Sequence, residues 1–368
     1  MRARDLGIVI GSGRPGPENA ITDVAGVRVG HKTLISGEGR LEMGKGPVRT
    51  GVTVIIPHEG SIWTEPLFAG CHRLNGNGEM TGLEWVRESG TLTSPVGLTN
   101  THSVGVVRDE LVAAEARERG TAELFWALPV VAETWDGMLN DINGQHVRLE
   151  HVRAALESAS AGPVPEGNVG SGTGMICHGF KGGIGTASRV VAARDQTFTV
   201  GVLVQANHGR RERLQINGVQ VGKALPADAI PTPGVPAAAG AGSIIGVVAT
   251  DAPLLPTQCN RLAQRVGLGV ARTGGVGEHT SGDLFLAFST GNRGLPASDL
   301  GEETALTVYV EMLSNSYITP LFDAVVEATE EAIVNALLAA ETMEGRDRIT
   351  AHRLDPARLL SVLGQATA

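Results

Sequence analysis

Short apolar runs bounded by glycine, asparagine or proline recur along the chain and predict β-strands. The predicted strands are residues 51–57, 199–207, 244–250, 283–289 and 304–310. Helical stretches lie between them, over residues 109–119, 149–158, 260–272 and 320–343. Strands flanked by helices indicate an α/β protein, although this pattern alone does not select one architecture.

The last predicted helix has the clearest start signal. Thr319 is a candidate N-cap, and Pro320 follows at the first helical position, where its missing N–H group costs nothing. Apolar side chains recur along the helix and give it a broad apolar face. We therefore expect this helix to cover one side of a sheet.

The segment 224–242 differs from the rest of the chain. It contains four prolines and has no apolar periodicity, so it is predicted to be an exposed, mobile loop. Directly after it, a buried strand is predicted to begin at Ser243. A loose linker that ends at a Gly-Ser pair and becomes a core strand is a boundary that calls for a chemical explanation.

Composition narrows the class of protein. A chain of 368 residues is long enough to bury a core without disulfides or metals. Its 50 glycines alternate with apolar runs, which indicates tight turns and close backbone contacts rather than disorder. The three cysteines form no C-x-x-C pair, which argues against a disulfide framework and a structural zinc site.

Charge and hydropathy bear on partners and location. The net charge is −9 and lysine and arginine form no cluster, so nucleic acid is not an expected partner. No apolar run is long enough to span a membrane, and the first residues do not form a secretory signal. We expect a soluble cytoplasmic protein that acts on small molecules or peptides.

Two motifs suggest a cofactor or a metal and are weak. The segment GSGRPG at residues 11–16 matches a dinucleotide-binding pattern, but Pro15 does not open a helix that would hold a pyrophosphate. The adjacent pairs Cys71–His72 and Cys177–His178 would point to opposite faces of a strand. We therefore predict a surface turn at residues 11–16, no cofactor and no metal site.

The Gly242–Ser243 junction admits a specific chemistry. Glycine allows a strained peptide before Ser243, and strain would favour attack of the serine hydroxyl on the preceding carbonyl. Hydrolysis of the resulting ester would leave Ser243 with a free α-amino group, whose ordinary pKa near 8 suits a general base. A Gly-Ser pair before a strand is also a common loop end, so the local sequence leaves both interpretations open.

Residues 242–265, GSIIGVVATDAPLLPTQCNRLAQR, resemble the processing junction of the L-aminopeptidase/D-amidase-esterase family, which includes the β-peptidyl aminopeptidases. Further segments resemble the family in the same order along the chain. They include AITDVAGVRVGH (20–31), RTGVTVIIP (49–57), NGNGEMTG (75–82), GLTNTHSVG (97–105), VVAETWDGMLNDING (130–144), GNVGSGTGM (167–175), VLVQANHG (202–209) and SGDLFLAFSTGN (281–292). The resemblance covers nearly the whole chain.

The resemblance implies catalytic roles for residues at matching positions. Ser243 matches the nucleophile, and Asn207 matches the residue whose side-chain amide donates into the oxyanion hole. Ser281 and Asp283 match a polar relay beside the nucleophile. In an extended strand these two side chains share a face, so one could reach the other or the Ser243 hydroxyl.

The resemblance also implies how a substrate is held. Glu133 matches the acid that binds the terminal ammonium of the substrate, which would restrict cleavage to an exopeptidase reaction. Trp135 lies where an aromatic side chain often lines the substrate pocket, and a core tryptophan is the equal alternative.

The fold that the resemblance implies is a four-layer α/β/β/α sandwich, N-terminal-nucleophile-like and related to the ornithine acetyltransferase fold. Cleavage between Gly242 and Ser243 would give an α chain of residues 1–242 and a β chain of residues 243–368, which together form one domain. A homotetramer of αβ units is the expected assembly.

The implied activity is hydrolysis of N-terminal aminoacyl amide, peptide or ester bonds by a serine aminopeptidase or amidase. The sequence leaves open whether substrates are L-α-, D- or β-aminoacyl, and whether the base is the Ser243 amine or the Ser281/Asp283 relay. An acyltransferase like the ornithine acetyltransferases and an oligoamide hydrolase are the alternative enzymes, although both typically use threonine as the nucleophile. A glycine-rich binding module is the non-enzyme alternative.

Overall fold

Two β-sheets packed face to face form the centre of the molecule. The computed structural model describes residues 1–120, 125–233, 242–297 and 305–367. In these residues the strands are β1 (Arg28–Ser36), β2 (Val48–Ile56), β3 (Leu67–Gly76), β4 (Thr91–Leu92), β5 (Val96–Asn100), β6 (Val130–Thr134), β7 (Ile176–Cys177), β8 (Phe180–Lys181), β9 (Gly183–Ala193), β10 (Gln196–Asn207), β11 (Ser243–Thr250), β12 (Gly282–Ser289), β13 (Met343–Glu344) and β14 (Thr350–Ala351). The helices are α1 (Leu83–Ser89), α2 (Val104–Arg119), α3 (Leu149–Glu157), α4 (Val221–Ala224), α5 (Pro256–Arg272), α6 (Thr319–Ala339) and α7 (Pro356–Thr367).

Both large sheets are mixed. One has the strand order β1-β2-β5-β6 and the other the order β4-β3-β12-β11-β10-β9. β5 runs parallel to β6 and β11 parallel to β12, whereas the other neighbours in these sheets are antiparallel. The remaining strands form two small ribbons, β7-β8 and β13-β14.

Successive side chains of a strand point to opposite faces of the sheet, so the apolar side chains form three layers of core. Ile55 and Leu98 of the four-stranded sheet pack against Val247 and Leu286 of the six-stranded sheet. The outer face of the six-stranded sheet is covered by α5 and α6, and the outer face of the four-stranded sheet by α2 and α3. The layers therefore run helix, sheet, sheet, helix, and the predicted four-layer sandwich is confirmed.

Most predicted elements lie inside observed ones. Four of the five predicted strands fall within β2, β10, β11 and β12, apart from Pro57 at one end, and the predicted helices correspond to α2, α3, α5 and α6. The predicted strand at 304–310 is wrong for residues 305–310, which form no strand, while residue 304 lies outside the described residues. β-propensity alone does not make a strand where no neighbouring strand offers hydrogen bonds.

The predicted loop at 224–242 is only partly exposed. Leu225 and Ile230 are buried, and their carbonyl oxygens accept hydrogen bonds from the Arg211 guanidinium at 3.2 and 2.8 Å. The prediction of full exposure is therefore wrong for these two residues, and also for Gly242, which is buried. Residues 234–241 lie outside the described residues.

The glycine-rich segment at residues 11–16 holds a carboxylate of the chain itself. The backbone N–H groups of Ser12 and Gly13 each donate to one oxygen of Glu327 in α6, at 2.9 Å. A Cβ on Gly11 would come within 2.0 Å of the carboxyl carbon of Glu327. The amides that a pyrophosphate would need are thus engaged with Glu327.

None of the helices in the described residues has the length and the apolar character of a membrane span.

Candidate active site

The ends of three neighbouring strands, β10, β11 and β12, meet at one end of the six-stranded sheet. β10 is antiparallel to β11, so Asn207 at the end of β10 lies opposite Ser243 at the start of β11. β11 and β12 are parallel, so β12 also starts at this end of the sheet, with Gly282. Strand topology thus brings together residues that are far apart in sequence.

Ser243 is buried between the two sheets, with 4% of its surface exposed. Alternation along β11 places it on the same face as Ile245 and Val247, which pack towards the four-stranded sheet. Its Oγ atom accepts a hydrogen bond from the backbone N–H of Gly282 at 3.0 Å. A donor aimed at this oxygen would stabilise negative charge that develops there.

Gly242 is required by a close backbone contact. A Cβ at this position would lie 2.0 Å from the carbonyl oxygen of Asn207, which is a severe clash with backbone. The sequence suggested strain as the reason for glycine before Ser243. The described geometry gives a different reason, since only glycine lets the chain enter β11 beside the end of β10.

The Asn207 amide is held in one orientation. Its Oδ1 accepts the N–H of Ile176 at 2.7 Å, and its Nδ2 donates to the carbonyl of Trp135 at 2.9 Å. A donor on one side and an acceptor on the other distinguish the oxygen from the nitrogen. Nδ2 carries two hydrogens, so a second hydrogen remains besides the one bonded to the Trp135 carbonyl.

Ser281 and Asp283 contact each other. Ser281 Oγ donates to Asp283 Oδ1 at 2.6 Å, and Gly282 between them supplies the N–H that reaches Ser243. The sequence allowed these side chains to reach either each other or the Ser243 hydroxyl, and the structure contains the hydrogen bond between Ser281 and Asp283. Burial raises the pKa of the Asp283 carboxyl to about 6, although the Ser281 hydrogen bond opposes the shift.

Glu133 lies across the gap, near the end of β6 in the other sheet. Its Oε1 accepts the backbone N–H of Glu79 at 2.9 Å, and its Oε2 accepts the hydroxyl of Thr101. Burial raises the pKa of this carboxyl, and the two hydrogen bonds oppose the shift. Glu133, Trp135 and Ser243 line one cavity of about 600 Å³.

Comparison with known proteins agrees with this geometry. The model of a family described as "Peptidase family S58" matches residues 19–351. This chain belongs to peptidase family S58. A β-peptidyl aminopeptidase of Sphingosinicella microcystinivorans is 51% identical, over 98% of this chain and 91% of that protein.

Two solved structures of similar proteins also match this chain. A β-aminopeptidase of a Burkholderia species matches with a TM-score of 0.92 and 56% identity, over 99% of both chains. The L-aminopeptidase D-Ala-esterase/amidase of Ochrobactrum anthropi, described as a variant of the Ntn hydrolase fold, matches with a TM-score of 0.90 and 45% identity, over 100% of this chain and 99% of that chain. The predicted family, fold and hydrolase class, that of a serine aminopeptidase or amidase, are confirmed.

The S58 site contains pocket residues that the sequence did not single out. Asn77, Glu79, Thr101 and Thr280 line the same cavity as Ser243. The segments NGNGEMTG and GLTNTHSVG carried three of them, but only as stretches of resemblance without assigned roles. Polar residues on loops become recognisable as pocket walls only when the fold brings the loops together.

Trp135 borders the S58 cavity rather than the core. Its side chain is 39% exposed, and its ring packs so closely on Gly137 that a Cβ there would lie 2.5 Å from it. Of the two interpretations that the sequence left open, the position at the cavity fits the structure.

Gln205 joins the two sheets behind the S58 site. Its Nε2 donates to the carbonyl of Thr99 in β5 at 2.9 Å and to the hydroxyl of Thr134 in β6 at 2.7 Å. Gln205 lies two residues before Asn207 on β10, and Thr134 directly follows Glu133. The contact therefore ties the strand beside the nucleophile to the strand that carries Glu133.

One group of three buried side chains in the described residues has ligand atoms close together, within 4.8 Å: Cys177, His178 and His208. The expectation that Cys177 and His178 point apart is wrong, because the strand ends at Cys177 and His178 adopts a φ of 50°. Lys181 and Arg211 both act on this group with positive charge. Burial raises the pKa of the Cys177 thiol to about 12, so a metal ion would have to displace the thiol proton, and the absence of a metal stays a prediction.

Proposed function

We propose that this chain is a self-processing serine aminopeptidase that releases β-amino residues from the N-termini of short peptides and amides. The observation that carries the proposal is the shared cavity, in which the Glu133 carboxylate and the Ser243 hydroxyl face one space of about 600 Å³. A buried carboxylate binds a substrate ammonium and rejects a blocked amine, which explains cleavage of the first residue only.

Catalysis is acyl transfer through Ser243. Its hydroxyl oxygen attacks the substrate carbonyl, and the free N–H of Asn207 Nδ2 stabilises the tetrahedral oxyanion. Collapse expels the amine, which takes a proton, and leaves an ester on Ser243. Water then adds to the ester, the Ser243 oxygen regains a proton, and the free amino acid leaves.

The base in this proposal is the α-amino group that cleavage frees on Ser243. Its ordinary pKa is near 8, so a fraction is unprotonated at neutral pH. The contacts of the relay support this choice, because the Ser281 hydroxyl is directed at Asp283 and the Ser243 oxygen is contacted by the Gly282 N–H. Ser281 and Asp283 then hold the start of β12, and with it that N–H group, in place.

Self-cleavage between Gly242 and Ser243 divides the chain into residues 1–242 and 243–368. The hydroxyl of Ser243 attacks the Gly242 carbonyl, and an N-to-O shift breaks the peptide bond, frees the Ser243 amine and leaves an ester. Water then hydrolyses the ester to the Gly242 carboxylate and the Ser243 hydroxyl. The tight backbone approach at Gly242 supports this step, since it limits the positions that the scissile carbonyl can take. No metal or organic cofactor takes part.

Preference for β-amino residues is supported by the relatives. Two named as β-aminopeptidases are 51% and 56% identical to this chain, and the L-aminopeptidase D-Ala-esterase/amidase is 45% identical. The last likeness makes hydrolysis of D-alanyl amides and esters the second candidate activity. We also propose that the enzyme is a homo-oligomer of αβ units, by family likeness a tetramer, and a cytoplasmic location stays a prediction.

Assays on p-nitroanilides test the activity. Purified wild type should release p-nitroaniline from β-homoalanyl p-nitroanilide faster than from the L- and D-alanyl compounds. Ser243→Ala should release none from any of them, and N-acetylated compounds should be resistant. Equal turnover of acetylated and free substrates would contradict the role of Glu133, and faster turnover of the D-alanyl compound would favour the second candidate.

A further inference from the structure

Lys181 is a buried cation that the proposed mechanism leaves without a role. It is the last residue of β8, and none of its surface is exposed. Burial of a cation is costly unless polar partners compensate it. Lys181 is not among the described residues that line the cavity of Ser243, so a role in the reaction would have to act through another residue.

Three backbone carbonyl groups surround the Lys181 side-chain nitrogen. Its Nζ donates to the carbonyl oxygens of Met175 and Gly182, each at 2.8 Å, and to that of Gly172 at 3.2 Å. Burial lowers the pKa of this lysine to about 7, whereas the three acceptors match the three hydrogens of its charged form. The contacts tie three points of the segment 172–182 to one side chain.

The peptide group between Met175 and Ile176 connects Lys181 to Asn207. Its carbonyl oxygen accepts from Lys181 Nζ at 2.8 Å, and its N–H, that of Ile176, donates to Asn207 Oδ1 at 2.7 Å. A peptide group is planar, so fixing its C=O also fixes the direction of its N–H. A positive charge at the C=O end also polarises the group and makes the N–H a stronger donor.

The orientation of the Asn207 amide depends on this peptide group. Its two hydrogen bonds are the one from the Ile176 N–H to Oδ1 and the one from Nδ2 to the Trp135 carbonyl. With both in place the amide cannot turn, and the second Nδ2 hydrogen keeps one direction. With the first weakened, the amide can rotate about its bond to Cβ, and that hydrogen loses its direction.

We propose that Lys181 is a positioning residue, which directs the Asn207 amide towards the oxyanion through the Met175–Ile176 peptide group. This inference rests on the proposed function and adds a residue to it. Without the ammonium group, stabilisation of the transition state should weaken. Binding of the substrate ammonium by Glu133 should not change. A lower kcat at an unchanged KM is therefore the expected result.

Lys181→Met tests the inference, because methionine is apolar, flexible and of similar length, and removes all three donors. Steady-state kinetics on β-homoalanyl p-nitroanilide give kcat, normalised to the fraction of cleaved chains from intact mass. Loss of an oxyanion donor costs about 100- to 1,000-fold in kcat, so a misdirected one should cost less, about 10-fold. KM should stay within about twofold of wild type.

A double-mutant cycle with Asn207→Ala separates positioning from a general structural effect. In the Asn207→Ala variant there is no amide to direct, so Lys181→Met should lower kcat less than about twofold further. A loss of stability alone would act in both backgrounds. Full multiplication of the two single effects would therefore overturn the inference.

Arg211→Met is the matched control. Arg211 is a second buried cation, and its guanidinium donates to the backbone carbonyls of His178, Gly179, Leu225 and Ile230. The control should lower the midpoint of urea unfolding, as Lys181→Met does, but keep kcat within about twofold of wild type. A wild-type kcat in Lys181→Met, or an equal fall of kcat in the control, would overturn the inference.

A second measurement needs neither cleavage nor activity. In the uncleaved Ser243→Ala protein, hydrogen exchange of the Ile176 amide should become about 10-fold faster with Lys181→Met and stay unchanged with Arg211→Met. Lys181→Gln replaces Lys181→Met in both measurements if the latter is insoluble. Unchanged exchange at Ile176 would overturn the inference, whereas a wild type without activity on p-nitroanilides would contradict the proposed function instead.

Discussion

At the scale of single residues, the site depends on where hydrogen bonds fix polar atoms. Asn207 is oriented by a donor and an acceptor, Ser243 receives the N–H of Gly282, and Glu133 is held by two donors. None of these partners was predicted from the sequence. Local sequence shows which residue types are present, whereas their hydrogen-bond partners come from segments far away along the chain.

Glu133→Gln tests the binding of the substrate ammonium. The change keeps the shape and removes the charge, so kcat/KM for free-amine substrates should fall about 10- to 100-fold, the worth of a charge-assisted hydrogen bond. Self-cleavage should persist, because the substrate amine has no part in it. Steady-state kinetics on free and N-acetylated p-nitroanilides measure the effect. A variant that still prefers the free amine as strongly as the wild type would exclude the assignment.

Asp283→Asn tests how much burial of the Asp283 carboxyl lowers the free energy of unfolding. Burial raises its pKa to about 6, so between the ordinary aspartate range and about pH 6 the unfolded chain loses its proton first. Stability from this group therefore falls as pH rises through that window. The variant removes the loss and should gain about 2–3 kcal/mol relative to wild type between about pH 4 and pH 7.

Urea unfolding of both chains measures this difference, and both should carry Ser243→Ala so that one polypeptide unfolds. Asparagine can still accept the hydrogen bond that Ser281 donates. A difference between the two chains that does not change with pH would show that Asp283 titrates in its ordinary range.

At the scale of elements, the apolar pattern predicted most helices and strands correctly and one strand wrongly. α6 and β10 were predictable because apolar residues recur over many positions in both, and both elements are largely buried. The segment 304–310 has the pattern of a strand by the same rule, yet residues 305–310 form no strand with the part of the chain that the structure describes. The apolar pattern reports whether a segment can form a strand, whereas pairing depends on whether another strand lies beside it.

Gln205→Met tests the link between the sheets. The variant leaves the Thr99 carbonyl and the Thr134 hydroxyl without this donor, which should cost about 1–3 kcal/mol of unfolding free energy. Because the link ties β10 to β6, KM should rise more than kcat falls. Gln196→Met, at the exposed start of the same strand, is the control and should change neither quantity. Wild-type KM and stability in Gln205→Met would contradict the role of the link.

At the scale of the whole molecule, the segments on the two sides of the proposed cleavage site contribute to one sheet. β11 and β12 belong to residues 243–368 and lie between β3 and β10, which belong to residues 1–242. Glu331 in α6 binds Arg4, Arg189 and Asn19 across the same division. Periodicity and composition did not predict the shared sheet, because strand order is a property of long-range pairing. The division of one domain into two chains, which the family resemblance implies, stays a prediction.

The two fragments should therefore remain together after cleavage. Separation would break the β11–β10 and β12–β3 hydrogen bonds and expose apolar core. Native size-exclusion chromatography of cleaved protein should give one peak that contains both fragments, and only denaturant should release them. Release of residues 243–368 alone in native buffer would contradict the shared sheet.

The central claim is that Ser243 becomes the first residue of a separate chain. Mass spectrometry of the intact polypeptides under denaturing conditions, on active wild type beside Ser243→Ala, tests it most directly. We predict two species from the wild type, corresponding to residues 1–242 and 243–368, and one unbroken chain from the inactive variant. Active wild type that consists of one unbroken chain would contradict the account.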